Sequence, residues 1–364
     1  MRQVYAKVDL GALRDNVGLI QKATKAEVMG VVKADAYGHG AVEVARVLVS
    51  CGVRYLAVAC LSEAKILRQA NICVPILILG LSPADDAEEI VAHNVTQTVA
   101  TVEMVEALDR AAKLLNTKAK VHLKIDSGMG RIGISPADAG SFARKLLDYP
   151  NIMVEGAFSH FATSDEADKS FALEQLAVFQ EAVDDIQQVL PLRYLHLANS
   201  AAILDLPEAH FNMVRAGIIL YGMLPSRDVQ NKLPLSPVLS LCAKISYIKT
   251  VPEGTPLSYG RTYYTERESR IATLPVGYAD GYTRAFSGKA EVLLNGQRAK
   301  VVGRICMDQC LIDVTDIPAK IGDEAVLYGT EGLTTDEVAS FINTINYELP
   351  CMLSPRVPKV FFGA

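Results

Sequence analysis

Residues 28–33, Val28-Met29-Gly30-Val31-Val32-Lys33, end an apolar run on a lysine. Buried ammonium groups are expensive, so a lysine there either reaches water at a strand end or is kept for chemistry. Taken alone, Lys33 fits the first reading. At the C-terminal end of a barrel strand it would sit where barrel enzymes react, and an amine there can form a Schiff base with an aldehyde cofactor. Other chemistry-bearing residues fall at comparable places. His160 closes a β-rich run at 154–160, Asn199 and Ser200 follow one at 194–198, and Arg215, Gly217 and Ile218 lie on or beside one at 214–220. Phosphate wants several N–H and O–H donors, and barrels often bind it after the seventh and eighth strands. Ser200 with the Gly217 and Ile218 amides meets that need, although Ser200 serves equally well as N-cap of a helix at 201–204. Arg215 alone fits a structural ion pair equally well.

A second pattern competes. Gly128-Met129-Gly130-Arg131-Ile132-Gly133 follows a strand-like run and satisfies the dinucleotide spacing, with Glu155 further on as the acidic partner. Ser135-Pro136, a helix start, comes only after the third glycine, whereas the fingerprint opens its helix within the motif. An NAD(P)-dependent dehydrogenase is therefore the weaker alternative. The 7 cysteines form no C-x-x-C pair and no zinc-like spacing with histidine, which predicts a metal-free protein in a reducing compartment.

The elements that would position these groups alternate. β-rich runs at 28–33, 55–59, 75–79, 96–100, 121–126, 154–160, 194–198 and 214–220 are separated by helical patterns at 41–50, 62–69, 87–93, 102–115, 137–147 and 171–190. Such alternation implies parallel strands with crossover helices, and eight strands are what a (β/α)8 TIM-type barrel needs. From about residue 230, after Pro225, Pro234 and Pro237, the texture turns β-rich, with runs at 241–251, 270–274, 290–294, 299–302, 310–314 and 324–328 and one helix at 335–344. Asn295-Gly296 marks a hairpin. The expected division is a barrel at 1–230 and a mostly β domain at 231–364, with residues 4–9 free to join the second. The net charge of −5 and the 50% apolar content describe a soluble chain without the basic excess nucleic acid needs. No secretory signal or membrane span is visible, which predicts a cytoplasmic protein with no membrane partner.

Val31 to Gly40, Val-Val-Lys-Ala-Asp-Ala-Tyr-Gly-His-Gly, resembles the pyridoxal-phosphate (PLP) lysine motif of the alanine racemases. The likeness continues through Asn212-Met213-Val214-Arg215-Ala216-Gly217, Ser258-Tyr259-Gly260-Arg261, and Gly303-Arg304-Ile305-Cys306-Met307-Asp308-Gln309. The resemblance implies a PLP-dependent alanine racemase with Lys33 holding the cofactor, assisted by Tyr37, Leu79, Arg131, His160, Asn199, Ser200, Arg215, Gly217 and Ile218. It implies that Arg215 faces the pyridine nitrogen, and a guanidinium that keeps its protons leaves the ring neutral and a weaker electron sink. Lys124 matches a lysine often carbamylated in the family, which would orient Arg131; a plain Lys124 paired with a carboxylate stays open. Racemisation works on two faces and calls for two acid/base groups. Lys33 would serve one face and Tyr259 the other, through a chain from Tyr259 to His160 to Arg215. Arg131 and Met307 would bind substrate, and Tyr278, Arg284 and Asp308 would gate the entrance.

In the family the tyrosine comes from the second subunit, so the resemblance implies a homodimer with shared active sites, acting on a small amino acid and supplying D-alanine for peptidoglycan. One departure stands out. Where the family often reads S-Y-R-V-P-R, this chain has Ser354-Pro355-Arg356-Val357-Pro358-Lys359. A hydroxyl near the phosphate is lost, worth about 1.5–3 kcal/mol for a charged acceptor, and serine could join alanine as a substrate. A PLP-dependent decarboxylase of the same fold group is the nearest alternative, although that group usually sets an acid against the pyridine nitrogen.

Overall fold

The computed structural model describes residues 3–363. Short runs rich in Val, Ile and Leu, too short for helices, form strands buried on both faces, as a parallel sheet flanked by helices requires. The chain divides into two units: Arg14–Ala36 with Ala41–Leu235, and Met1–Leu13 with Tyr37–Gly40 and Ser236–Ala364.

The first unit is an eight-stranded parallel barrel. Numbering all strands along the chain, with Val4–Asp9 as β1, its staves are β2 (Glu27–Val31), β3 (Tyr55–Val58), β4 (Ile76–Ile78), β5 (Thr96–Val99), β6 (Ala119–Lys124), β7 (Ile152–Phe158), β8 (Tyr194–His196) and β9 (Met213–Ala216). Each pairs in parallel with the next from β2 to β8, and β2 also pairs with β9. The Arg215 amide donates to Ala198 O at 3.0 Å across the remaining seam. Crossover helices include Ala41–Ser50, Leu61–Gln69, Val102–Leu114, Ala139–Leu146 and Ser170–Gln187.

The second unit is mostly β. Its main sheet runs β11–β14–β17–β16–β15–β18–β10–β1–β19, where β10 is Leu239–Lys244, β11 Tyr247–Val251, β14 Ser269–Leu274, β15 Glu291–Leu294, β16 Gln297–Val302, β17 Cys310–Asp313, β18 Glu324–Tyr328 and β19 Lys359–Phe362. The short pair β12 (Pro256–Leu257) and β13 (Tyr263–Tyr264) stands apart. β1 lies between β10 and β19, so the first strand of the chain is an inner strand of this sheet. Asn295 and Gly296, at φ 50° and 78°, make the tight turn between β15 and β16.

Several expectations need correction. The helix Leu10–Ala23 was not foreseen, although Asp9 Oδ1 accepts from the Gly11 and Ala12 amides at 2.9 and 3.0 Å and Leu10, Leu13, Val17 and Ile20 are buried at helical spacing. The run at 241–251 is two strands, because β10 pairs with β18 and β1 while β11 turns to β14. The apolar run ending at Lys33 leaves the sheet at Val31.

Candidate active site

β2 ends two residues before Lys33, and the backbone then turns sharply. Ala34, Asp35, Ala36 and Tyr37 have φ of 52°, 53°, 55° and 53°, four consecutive left-handed residues without a glycine. Each costs roughly 1–2 kcal/mol for an L-residue, so the conformation is held by its surroundings. Lys33 is thus a turn residue just beyond the strand, a correction to its expected place as the strand's last residue.

Arg215 lies on β9, opposite Met29 of β2 in the ladder. Its side chain points into the barrel and is 4% exposed. Nη1 donates to His196 O at 2.8 Å and His196 Nδ1 at 3.0 Å. Nη2 donates to Ser159 O at 2.9 Å, Leu197 O at 3.1 Å and His160 Nδ1 at 3.1 Å. A guanidinium only donates, so both Nδ1 atoms must be acceptors. His196 therefore carries its proton on Nε2 and gives it to His122 Nδ1, 2.8 Å away. His122 in turn carries its proton on Nε2, and His160 presents a free-standing Nε2–H in the same way. Burial, followed by the Arg215 charge, pushes His122 down to about 3 and holds His160 and His196 well below the ordinary imidazole range. The column is one cation among neutral rings.

Lys124 ends β6, is buried, and donates to Ile125 O at 2.6 Å. Burial, then Arg215, pushes its amine down to about 8, Asp126 opposing and Arg131 assisting. Arg131 is exposed on the loop after β6. That loop also resolves the glycine pattern. Asp126 Oδ1 accepts from the Gly128 and Gly130 amides at 3.2 and 2.9 Å, and a Cβ on Gly133, at φ 141°, would stand 2.5 Å from Asp126 N. The glycines fold a loop back onto β6, and the α-helix starts only at Ala139. Asn199, not Ser200, is the N-cap of Ser200–Asp205: its side chain accepts from the Ala202 amide at 3.1 Å and from Ser164 Oγ at 2.9 Å. Ser200 Oγ is thereby left to the Gly217 amide, 3.0 Å away. Ile218, buried, opens a short 3-10 turn after it, and Leu79 donates its amide to Val58 O at 2.9 Å.

The β unit gathers its own group. Tyr259 sits in a strained turn, with Ser258 at φ 63° and Arg261 at φ 48°, anchored by Ser258 Oγ donating to Arg304 O at 2.5 Å. The Tyr278 and Ala279 amides donate to Cys306 O and Met307 O at 3.1 and 3.0 Å. A Cβ on Gly277 would stand 2.3 Å from Cys306 O, so only glycine allows this approach. Arg284 is exposed on the next turn. Asp308 accepts from Arg356 Nη2 at 2.6 Å, and Arg356 Nε lies 3.5 Å from the buried Asp280. Pro355 is therefore on a segment tied down by its neighbour. Tyr37 belongs to this unit too, its ring 6.2 Å from that of Tyr347.

The family described as "Alanine racemase, N-terminal domain" matches residues 8–225, and "Alanine racemase, C-terminal domain" matches 238–361. The chain belongs to the alanine racemase family. Alanine racemase of Desulfovibrio desulfuricans is 48% identical, covering 99% of this chain and 98% of that protein. The structure of alanine racemase from Clostridium difficile 630 superposes with a TM-score of 0.96 at 43% identity, covering 100% of this chain and 96% of that one. That of Bacillus anthracis, with bound L-Ala-P, gives 0.92 at 39% identity, covering 100% and 96%.

Within this alanine racemase fold the barrel unit brings Arg215, His160 and Lys124 into one neighbourhood and pairs Ser200 with Gly217. Tyr259, Tyr278, Arg284, Met307 and Asp308 lie in the β unit. His122 and His196 were missed as supports of Arg215. Their signal was a histidine inside each of two apolar strands, since a fully buried ring needs a partner. No cluster of three or more potential metal ligands occurs among the described residues.

Proposed function

We propose that the chain interconverts L- and D-alanine with PLP, using Lys33 and Tyr259 on opposite faces of the α-carbon. The observation that carries this is Arg215: a buried cation on the strand beside the one that leads into Lys33, kept protonated by carbonyls and neutral imidazoles. A decarboxylase of this fold group would set an acid there.

The donor set suits PLP. Lys33 would hold its aldehyde carbon, while Ser200, the Gly217 and Ile218 amides and Tyr37 would hold the phosphate. Ser200 Oγ and Gly217 N lie close enough to share one anion. Arg215 would face the pyridine nitrogen, with Leu79, Asn199, His160 and Arg131 completing the surround. When bound, PLP supplies a conjugated ring that accepts electron density from the substrate's α-carbon. Because Arg215 does not surrender a proton, that demand stays moderate and side reactions such as transamination are disfavoured. The Lys33 amine takes or returns the proton on one face. The Tyr259 hydroxyl does so on the other, and needs help, since a free phenol has a pKa of about 10. His160 offers it: with Nδ1 committed to Arg215, its Nε2–H donates to the tyrosine oxygen and favours the phenolate.

Tyr259 comes from a second copy of the chain, as does Met307, whose amide meets the substrate carboxylate opposite Arg131. Tyr278, Arg284 and Asp308 line the entrance. Lys124, with a depressed pKa and so a larger neutral fraction, adds carbon dioxide through its nitrogen and releases a proton; the resulting carbamate anion orients Arg131. Serine joins alanine as a slower substrate because Pro355 leaves room. The D-alanine serves peptidoglycan synthesis in the cytoplasm; no helix among the described residues is long and apolar enough to cross a membrane.

The test is α-proton exchange in deuterium oxide, followed by NMR with both alanine enantiomers and PLP. Exchange from both, with mixing of L and D forms, is expected. No exchange from any amino acid, with PLP attached to Lys33, would end this reading.

A further inference from the structure

The left-handed turn after Lys33 needs an anchor, and a residue outside every motif supplies it. Ala34 N–H, the first amide after the lysine, donates to Glu63 Oε1 at 2.7 Å. Glu63 Oε2 accepts from the Ala59 amide, also at 2.7 Å. Ala59 immediately follows β3, the sheet neighbour of β2, and Glu63 stands in the first turn of Leu61–Gln69. One carboxylate thus ties the peptide after Lys33 to the end of the next barrel strand. On the far side, Asp35 Oδ1 accepts from the Ala41 amide at 2.7 Å, at the start of helix Ala41–Ser50.

We propose that Glu63 is the positioning residue of Lys33: its two oxygens hold the left-handed turn in place, and that turn fixes the direction in which the lysine leaves the backbone. This rests on Lys33 being the PLP lysine. The physical reason is the cost of the turn. Left-handed alanines relax to the right-handed or extended regions when unrestrained. The Ala34 N–H belongs to the peptide that begins at the Lys33 carbonyl, so releasing it frees the φ and ψ of Lys33 itself. Rotation about the Lys33 N–Cα bond then swings the Cα–Cβ bond and misaims the amine. A carboxylate is well suited to the task, since charged acceptors make the stronger hydrogen bonds and two oxygens serve two amides at once. Neither serine nor asparagine could bridge both strand ends from the same helix position, because their side chains are shorter.

The test uses the full-length protein with Glu63→Ala, and Glu63→Gln as the isosteric variant that keeps one acceptor oxygen. Three quantities are read: amide hydrogen exchange at Ala34 and Ala59 in the PLP-free protein, the rate at which added PLP becomes reducible onto Lys33 by borohydride, and kcat against KM for alanine. Glu63→Ala should speed exchange at both amides. It should slow attachment to Lys33 and lower kcat by about tenfold or more, leaving KM within about twofold. Glu63→Gln should fall between. If either folded variant attaches PLP and turns over at the wild-type rate, the proposal is wrong, and a lower melting temperature alone does not rescue it. Failure of the wild-type protein to attach PLP at Lys33 would instead overturn the proposed function.

Discussion

The two units keep their reactive groups in opposite ways. In the barrel, Arg215 is 4% exposed and Lys124 2%. In the β unit, Tyr259 is 68% exposed and Met307 53%, on turns whose backbones are firmly tied while the side chains stand outward. Both units bury polar groups, but of different kinds, the β unit burying Asp280 and several hydroxyls. The barrel core carries a column of three histidines around one arginine. The β unit packs Val251, Leu257, Ile271 and Val302 together in a purely apolar cluster, and Tyr5 and Lys7 meet Glu324 nearer its surface. The contrast teaches that, in the proposed function, the barrel holds its half of the site inside, where Arg215 and the histidines satisfy one another. In the proposed function the β unit's half, on outward-standing side chains, acts at the surface of a second copy.

The largest effect expected from this division is at Tyr259. Tyr259→Phe keeps the ring and removes the hydroxyl, so α-proton exchange from one alanine enantiomer should fall by about 10²–10⁴-fold, the range for a lost acid/base group. Exchange from the other should fall less. Equal losses for both enantiomers would break the assignment of one base to each face.

Acid should separate the units next. The three barrel histidines are neutral when folded and hold imidazole pKa values below the unfolded value of about 6.5. The unfolded chain therefore binds more protons below that pH, and barrel stability falls on acidification, by up to about 1.4 kcal/mol per pH unit for each ring. In the β unit, burial would raise Glu324, but hydrogen bonds from Lys7 and Tyr5 outweigh it and hold the carboxyl below its ordinary range. Its contribution is present above a pH of about 4.3 and lost only below that. Hydrogen exchange between pH 6.5 and 4.5 should show the barrel amides losing protection first; parallel loss in both units would contradict the contrast.

Smaller effects sharpen the picture. Lys124→Met should lower kcat/KM for alanine by about tenfold through a less well oriented Arg131, and should abolish a carbamate resonance fed by isotope-labelled bicarbonate. Pro355→Tyr should raise the preference for alanine over serine by about three- to tenfold, the scale of a modest change in pocket volume. An unchanged ratio would show that the tail held by Arg356 and Asp308 does not set the pocket.

The barrel alternation and the segment around Lys33 were legible because period and motif are local properties of the chain. The left-handed turn at 34–37 was not, since no glycine announces it and its support comes from Glu63, on another crossover. Ser200 was weighed as an N-cap where Asn199 takes that place, because both residue types can cap and only the helix start decides between them. Helix Leu10–Ala23 was overlooked although Asp9 and the spacing of Leu10, Leu13, Val17 and Ile20 were there to be read. The roles of His122 and His196 depend on which rings line the barrel interior together, a fact of strand register.

The central claim is that each site takes Lys33 from one chain and Tyr259 from another. The most direct measurement mixes Lys33→Ala and Tyr259→Phe proteins, each inactive alone, under conditions where native mass spectrometry shows that subunits exchange. Random pairing puts half of the dimers in hybrid form, each with one intact site of two, so about a quarter of wild-type activity should return. Hybrids that form but stay inactive would contradict the account and return Tyr259 to its own chain.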